Sequence, residues 1–372
     1  MANFDYVNLQ TQRKKPVGAG PVRTALRAVA SVALGAAALA VFPSAARAAS
    51  VRDGAELIPM GDAVGLSISC DGVVVTATQT ENGASSSPAQ TAGIRPGDVI
   101  IRVGDTSVRS GDDLRRALDA LNGAPVDVRV TRGGREATYT VTPRLEPDGS
   151  YRLGLVVRDM LTGIGTLTFY DPESGVFGAL GHSAGDSDTG VILPLRDGVI
   201  ANTSIVGVVR GQAAAPGQLQ GSFDASGAIG RLNANTERGI FGILSDAGTA
   251  RGRQPLPAGA AREIKPGPAS ILCTVSGSDV REYAVEITRV YSGAGNTERG
   301  MMLSVSDPGL IELTGGIVQG MSGSPILQDG KLIGAVTHVL VGDPTKGYGI
   351  SIESMLAASE AAGAALTTRG AA

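Results

Sequence analysis

Near the end of the chain, Gly320-Met321-Ser322-Gly323-Ser324-Pro325-Ile326 lies between two β-like runs at 315–319 and 326–328. A serine hydroxyl is a poor nucleophile at neutral pH, so it needs a general base and donors for the oxyanion it creates. A Gly-x-Ser-Gly turn supplies the donors. Its glycines let the backbone curl until the N–H groups of Gly320 and Ser322 converge beside the serine oxygen. The base must be His182 or His338, because the chain has only 2 histidines. The same scarcity excludes a His-rich metal site, and the two cysteines, Cys70 and Cys273, cannot build a zinc centre alone. Acyl transfer of this kind calls for no cofactor.

His182 stands in Gly178-Ala179-Leu180-Gly181-His182-Ser183-Ala184-Gly185-Asp186, at the end of an apolar strand and 140 residues before Ser322. The serine turn resembles the Gly-Asp-Ser-Gly-Gly-Pro turn of chymotrypsin-like proteases, where histidine also precedes serine. The likeness continues into a hairpin pattern at 330–336. His338 lies 16 residues past Ser322, on the strand after that hairpin. In chymotrypsin-like enzymes that strand borders the substrate, so His338 reads as a cleft wall and His182 as the base. Chymotrypsin-like spacing places the orienting acid some tens of residues after the histidine, as at Asp224. Asp186 and Asp188 read as a loop that braces His182 or caps a turn. Six residues before the serine, where trypsin-like enzymes carry an acidic pocket base, stands Gly316. Small or apolar residues are therefore expected at the cleavage position.

The elements that must position these groups are mostly strands. With 42% hydrophobic residues, 3% aromatics and 53 glycines, cores must be built from Val, Ile, Leu and Ala between tight turns. Residues 55–143 show short alternating runs at 65–70, 73–78, 99–103, 126–131 and 137–141, interrupted by one helical pattern at 112–121. Asn122-Gly123 stops that helix. A polar stretch at 81–90 reads as a mobile insertion. With Ala92-Gly93-Ile94-Arg95-Pro96-Gly97-Asp98-Val99-Ile100, this segment resembles a PDZ domain. Such domains present backbone N–H groups to a peptide carboxylate, and Gly65-Leu66-Ser67-Ile68 is the matching loop. From 151 to 354 strand follows strand, as in a barrel pair, and a helix at 353–366 closes the chain.

The first fifty residues read as a targeting segment. Arg13, Lys14, Lys15, Arg23 and Arg27 precede an uncharged run of 19 residues at 28–46 that ends in Ala46-Arg47-Ala48. A cleaved signal and a membrane anchor both fit, and either way the remainder is exported. The formal net charge of −3 gives no basic field for nucleic acid. Cys70 and Cys273 sit in apolar strand-like contexts and read as buried free thiols.

Residues 163–170 with 177–182, 314–326 and 331–350 resemble the stage IV sporulation protein B peptidases. These are membrane-associated serine peptidases with a PDZ domain ahead of the protease. The resemblance implies a mainly β chain with a basic flank and signal or anchor at 1–50, a PDZ domain at 51–145, and a chymotrypsin-like double β-barrel at 146–372. It places the family's serine and histidine on Ser322 and His182, and its aspartate on Asp307 in Ser304-Val305-Ser306-Asp307-Pro308. Taken alone, an aspartate before proline at a strand end is equally a turn residue, so Asp307 and Asp224 both stand as the acid. The resemblance further implies forespore synthesis, export into the intermembrane space and self-cleavage. The substrate would be a membrane-embedded regulatory complex of an intramembrane protease, with a peptide ligand for the PDZ domain. A non-catalytic PDZ scaffold and a housekeeping envelope protease are the alternative readings.

Overall fold

The alternation through residues 63–78 becomes one strand of 16 residues, Ala63–Thr78, and a second run becomes another of 16, Leu155–Tyr170. The computed structural model describes residues 55–79, 86–291 and 299–369. The targeting segment at 1–50 lies outside the described residues, as does the first half, 81–85, of the polar stretch at 81–90. The described end of that stretch is not a loop but the helix Pro88–Ala92, which Ser87 caps through the N–H of Gln90.

The two long strands form an antiparallel ribbon that runs through two domains. Ala63–Ser69 pairs with Met160–Thr166, and Val74–Thr78 pairs with Leu155–Arg158. Between these stretches the register shifts at the exposed Asp71 and its neighbour Gly72, a bulge that redirects the ribbon from one core to the next. Val64, Leu66, Ile68 and Cys70 point into the first core, Val73 and Val75 into the second.

The first core fills a six-stranded barrel. Leu155–Tyr170 is followed around it by Val176–Ala179, Gly239–Leu244, Ala228–Thr236 and Leu195–Asn202, and Ala63–Thr78 closes the ring. A second closed barrel runs Gly267–Cys273, Arg281–Val290, Met301–Val305, Lys346–Ser351, Lys331–Val339 and Pro325–Gln328. Branched aliphatic side chains such as Ile271, Ile287, Leu303, Ile326 and Val336 fill its interior. The barrels meet at a third cluster, where Leu57 and Phe169 pack on Leu332, Ala335 and Ile350, with Ile352 and Met355 of the closing helix Ile352–Arg369. Cys70 and Cys273 are free thiols in separate cores, and burial pushes both thiols up to about 12.

The PDZ domain packs the helix Gly111–Asp119 on strands Val99–Val103, Val126–Arg132 and Arg135–Val141 through Leu114, Leu118, Ile100, Val128 and Val130. Ser110 caps that helix by accepting the N–H of Asp113, and Asn122 and Gly123 end its trailing turn with positive φ. The Arg95-Pro96-Gly97-Asp98 turn is held by its aspartate. Asp98 is fully buried and accepts the Arg95 N–H at 3.0 Å and two guanidinium N–H groups of Arg132 at 2.6 and 2.7 Å.

Two expectations change. The PDZ domain precedes most of the peptidase in sequence, as expected, but it is inserted into the first barrel, so a boundary at 145/146 separates Ala63–Ser69 from the barrel it completes. Gly65, Leu66, Ser67 and Ile68 are barrel residues, paired with Ile164, Gly163, Thr162 and Leu161 on one side and with Ala201, Ile200, Val199 and Gly198 on the other. A carboxylate-binding loop needs N–H groups turned to solvent, whereas these sit between two neighbouring strands. An alternating run does not choose its sheet by itself, because the same pattern satisfies either.

The insertion has a direct consequence for truncation. A chain beginning at residue 146 lacks one of the six strands of its first barrel and is expected to give no cooperative thermal transition. A chain beginning at residue 55 should melt cooperatively. Circular dichroism melts of the two chains check this, and cooperative melting of the shorter one would contradict the insertion.

Candidate active site

The serine arm starts from the helix Pro308–Thr314, passes through Gly315 and Gly316, and turns at Gly320–Ser324 before the strand Pro325–Gln328. Three bonds hold it against the first barrel. The Thr166 N–H donates to the Ser322 carbonyl at 3.0 Å, Thr166 Oγ1 to the Gly320 carbonyl at 2.8 Å, and Thr168 Oγ1 to the Gly323 carbonyl at 2.8 Å. Within the turn, Gly323 N–H reaches the Val336 carbonyl at 2.8 Å, and Ser324 Oγ reaches the Met321 carbonyl at 2.7 Å. Gly323 has φ +97°, and a Cβ there would lie 2.1 Å from the Thr166 carbonyl oxygen and 2.5 Å from the Leu180 nitrogen. Only glycine lets the serine and histidine arms approach so closely.

The histidine arm leaves the strand Val176–Ala179 through Leu180, whose N–H donates to the Thr166 carbonyl at 3.3 Å. His182 is 3% exposed, and its Nδ1 lies 2.8 Å from the Ser183 carbonyl oxygen. A carbonyl can only accept, so Nδ1 carries the hydrogen and the neutral ring presents its lone pair at Nε2. The His338 ring stands 4.9 Å from that of His182, tilted by 35°. The neighbour of His338, Thr337, accepts the Ser322 hydroxyl on its carbonyl at 2.6 Å. The two histidine rings are thus neighbours, and Ser322 is bonded to the strand that carries one of them, with both arms tied to Thr166.

The acids are elsewhere. Asp307 caps the helix Pro308–Thr314, with Oδ1 accepting the Leu310 N–H at 2.9 Å, and its charge bears on Cys273 and Tyr283. The structure does not bring it to His182, because the carboxylate is committed to a helix N-terminus in the second barrel. Asp224 is exposed and accepts the Ser226 N–H at 2.9 Å and its hydroxyl at 2.6 Å, bonds that hold its carboxyl below the usual range. It too is a turn residue. Asp186 is buried in the loop that follows His182, where it accepts from Thr189 and Arg158. It caps a turn and braces the loop, as the sequence suggested.

Several residues at the site had no sequence reading. Asn235 clasps the loop after His182 through the Ala184 N–H at 2.8 Å and the Ala184 and Leu193 carbonyls at 2.7 and 2.9 Å. Thr166 and Thr168 hold the serine turn. Their signal was two hydroxyls in alternation in the otherwise apolar stretch 163–169, which places both on one face. At Gly316 an added Cβ would lie 2.2 Å from the Pro344 carbonyl oxygen, so backbone occupies the place of an acidic pocket base. A cavity of about 480 Å³ opens beside Gln319 and Gly320, lined by Met160, Ile164, Leu219 and Phe223. Within the PDZ domain, a second cavity of about 480 Å³ lies between the helix Gly111–Asp119 and residues 153–157.

Comparison with known proteins identifies the family. A model of the SpoIVB peptidase S55 family matches residues 149–356, more than half of the chain. The chain belongs to the SpoIVB peptidase S55 family. A PDZ-domain model matches residues 81–132. Among curated proteins, a zinc metalloprotease of Clostridium perfringens is 33% identical over 88 residues, 23% of this chain and 26% of that one. Metalloprotease MmpA of Caulobacter vibrioides is 29% identical over 159 residues, 32% of this chain and 40% of that one. The chain therefore spans well under half the length of either relative. Among solved structures, the HtrA-type protease AlgW with a decapeptide is 12% identical, with a TM-score of 0.33 over 58% of this chain and 57% of that one. The Rv3671c protease of M. tuberculosis in an inactive form is 13% identical, with a TM-score of 0.30 over 52% of this chain and 81% of that one.

The placement of Asp307 can be checked by substitution. Asparagine caps a helix as well as aspartate, so Asp307→Asn should leave both the melting temperature and kcat/KM near those of the parent. Asp307→Ala should cost about 1 kcal/mol of stability with little change in kcat/KM. A loss of roughly 10⁴-fold in kcat for Asp307→Asn, the size expected for a triad acid, would return Asp307 to the imidazole.

Proposed function

We propose that this chain is an exported serine endopeptidase in which Ser322 is the nucleophile and His182 the general base. The observation that carries this reading is that the Ser322 turn and the His182 arm are both bonded to Thr166. Attack begins when the Ser322 hydroxyl turns from the Thr337 carbonyl toward His182 Nε2. Nε2 takes the proton as the serine oxygen bonds the scissile carbonyl carbon. The N–H groups of Gly320 and Ser322 receive the oxyanion, and the imidazolium then protonates the departing amine to leave an acyl-enzyme. A water activated by the same imidazole releases the acid product. The Ser183 carbonyl holds the Nδ1–H throughout, the part that an aspartate plays in other serine proteases. His338 stands beside the base as a wall of the cleft.

Small or apolar residues suit the cleavage position, because backbone rather than a carboxylate lies at Gly316. The apolar cavity beside Gly320 is suited to a second apolar side chain of the substrate. Membership in the SpoIVB peptidase S55 family supports a role in intercompartmental signalling during spore formation. The peptidase would act in the forespore intermembrane space on the extracytoplasmic part of a membrane-embedded complex that restrains an intramembrane protease, and on itself. The basic flank and apolar run at 1–50 support export, and the PDZ cavity supports recognition of a peptide ligand.

Substitution separates the two histidines. Ser322→Ala and His182→Ala should each lower kcat/KM by roughly 10⁴-fold or more and abolish self-cleavage. His338→Ala, which removes a neighbour of the base rather than the base, should lose less than about 10²-fold. Kinetics on a peptide substrate, with mass spectrometry of the self-cleaved form, reads all three. Persistent proteolysis by the Ser322→Ala protein, or an inactive His338→Ala beside an active His182→Ala, would refute the assignment.

A further inference from the structure

Two adjacent residues of the strand Leu155–Tyr170 tie the PDZ domain to the loop that carries His182. They stand where the ribbon changes register: Arg158 is the last residue paired in the PDZ stretch, and Met160 the first in the barrel stretch. Neighbours on a strand point to opposite faces. On one face Arg158 donates to Asp186 Oδ2 and, at 3.5 Å, to Asp188 Oδ2. On the other, Asp159 Oδ2 accepts the N–H of Gly111 at 2.8 Å, the first residue of the helix that walls the PDZ cavity.

The Arg158 bond reaches the centre of the His182 loop. The Asp186 side chain is fully buried, and its other oxygen accepts the Asp188 and Thr189 N–H groups and the Thr189 hydroxyl at 2.9–3.1 Å. A buried carboxylate needs its cation, so without Arg158 the loop must open to water or rearrange around Asp186. Either change loosens the segment whose first residues fix the His182 ring through the Ser183 carbonyl.

We propose that Arg158 is a positioning residue for His182, and that Arg158 and Asp159 together let the PDZ groove helix set how well the His182 loop is formed. A ligand seated between the helix and residues 153–157 would bear on the same short stretch of strand. Peptide binding and turnover are then linked through two side chains rather than through a flexible linker. This inference rests on His182 as the base.

The test is the rate at which a fluorophosphonate labels Ser322 in the full chain, measured with the melting temperature of each variant. Arg158→Ala should slow labelling by about 10²-fold, as displacement of a catalytic group does, and Arg158→Lys should recover part of the rate. Asp159→Ala, which frees the helix but leaves Asp186 paired, should slow it by about fivefold or more. Arg253→Ala breaks another ion pair, with Asp62 at 2.6 and 2.7 Å, and should lower the melting temperature without slowing labelling. A folded Arg158→Ala that labels at the parental rate overturns the proposal. So does slowing that follows the melting temperature across all variants, Arg253→Ala included, and an unchanged Asp159→Ala overturns the PDZ link. If His182→Ala labels as fast as the parent, the base assignment fails instead, and this inference falls with it.

Discussion

Thr166 is the residue through which the two barrels are held at the register that chemistry needs. Its N–H and hydroxyl grip the serine turn at the Ser322 and Gly320 carbonyls, and its carbonyl takes the Leu180 N–H of the histidine arm. Both arms are therefore measured from a single backbone position in the first barrel. Gly323 is the steric complement of that arrangement, since any side chain there would collide with Thr166 and Leu180. Buried polar groups that are fully bonded fix one geometry where apolar contacts would tolerate several. The apolar cluster of Phe169, Leu332 and Ile350 supplies the adhesion, and the threonines supply the register.

Much of this was legible in the sequence because it is written in local patterns. The Gly-x-Ser-Gly turn, the histidine at a strand end and the Arg95–Asp98 turn each combine backbone demand with chemistry in a few residues. The strands Val99–Val103 and Val126–Arg132 and the helix Gly111–Asp119 likewise follow from alternation, helical spacing and an Asn-Gly stop. What could not be read is what depends on partners distant in the chain. Residues 65–68 alternate as well for a PDZ edge as for a barrel wall, and only the strands at 161–164 and 198–201 decide between them. Asp307 before proline fits a triad acid and a helix cap equally until the helix is seen to begin there.

The insertion of the PDZ domain changes what that domain can do. A domain joined by one flexible linker reports to its neighbour mainly by tethering. This one enters and leaves the barrel on two paired strands, and contributes residues to the same ribbon that carries Thr166. The groove has a short covalent path to Thr166 and the turn that carries Ser322, with Arg158 and Asp159 at the bulge between the two registers. The buried thiols play no part in this, since both lie inside cores, where burial pushes them up to about 12 and keeps them protonated near neutral pH.

The central claim is that a serine turn and a histidine arm, placed by Thr166, form a working acyl-transfer site in which a backbone carbonyl orients the imidazole. A crystal structure of the full chain with a peptide boronate bound tests it most directly. The account predicts boron bonded to Ser322 Oγ, a boronate oxygen against the N–H groups of Gly320 and Ser322, and His182 Nδ1 still facing the Ser183 carbonyl. An adduct on another residue, or an imidazole swung round to pair with Asp307, would contradict it.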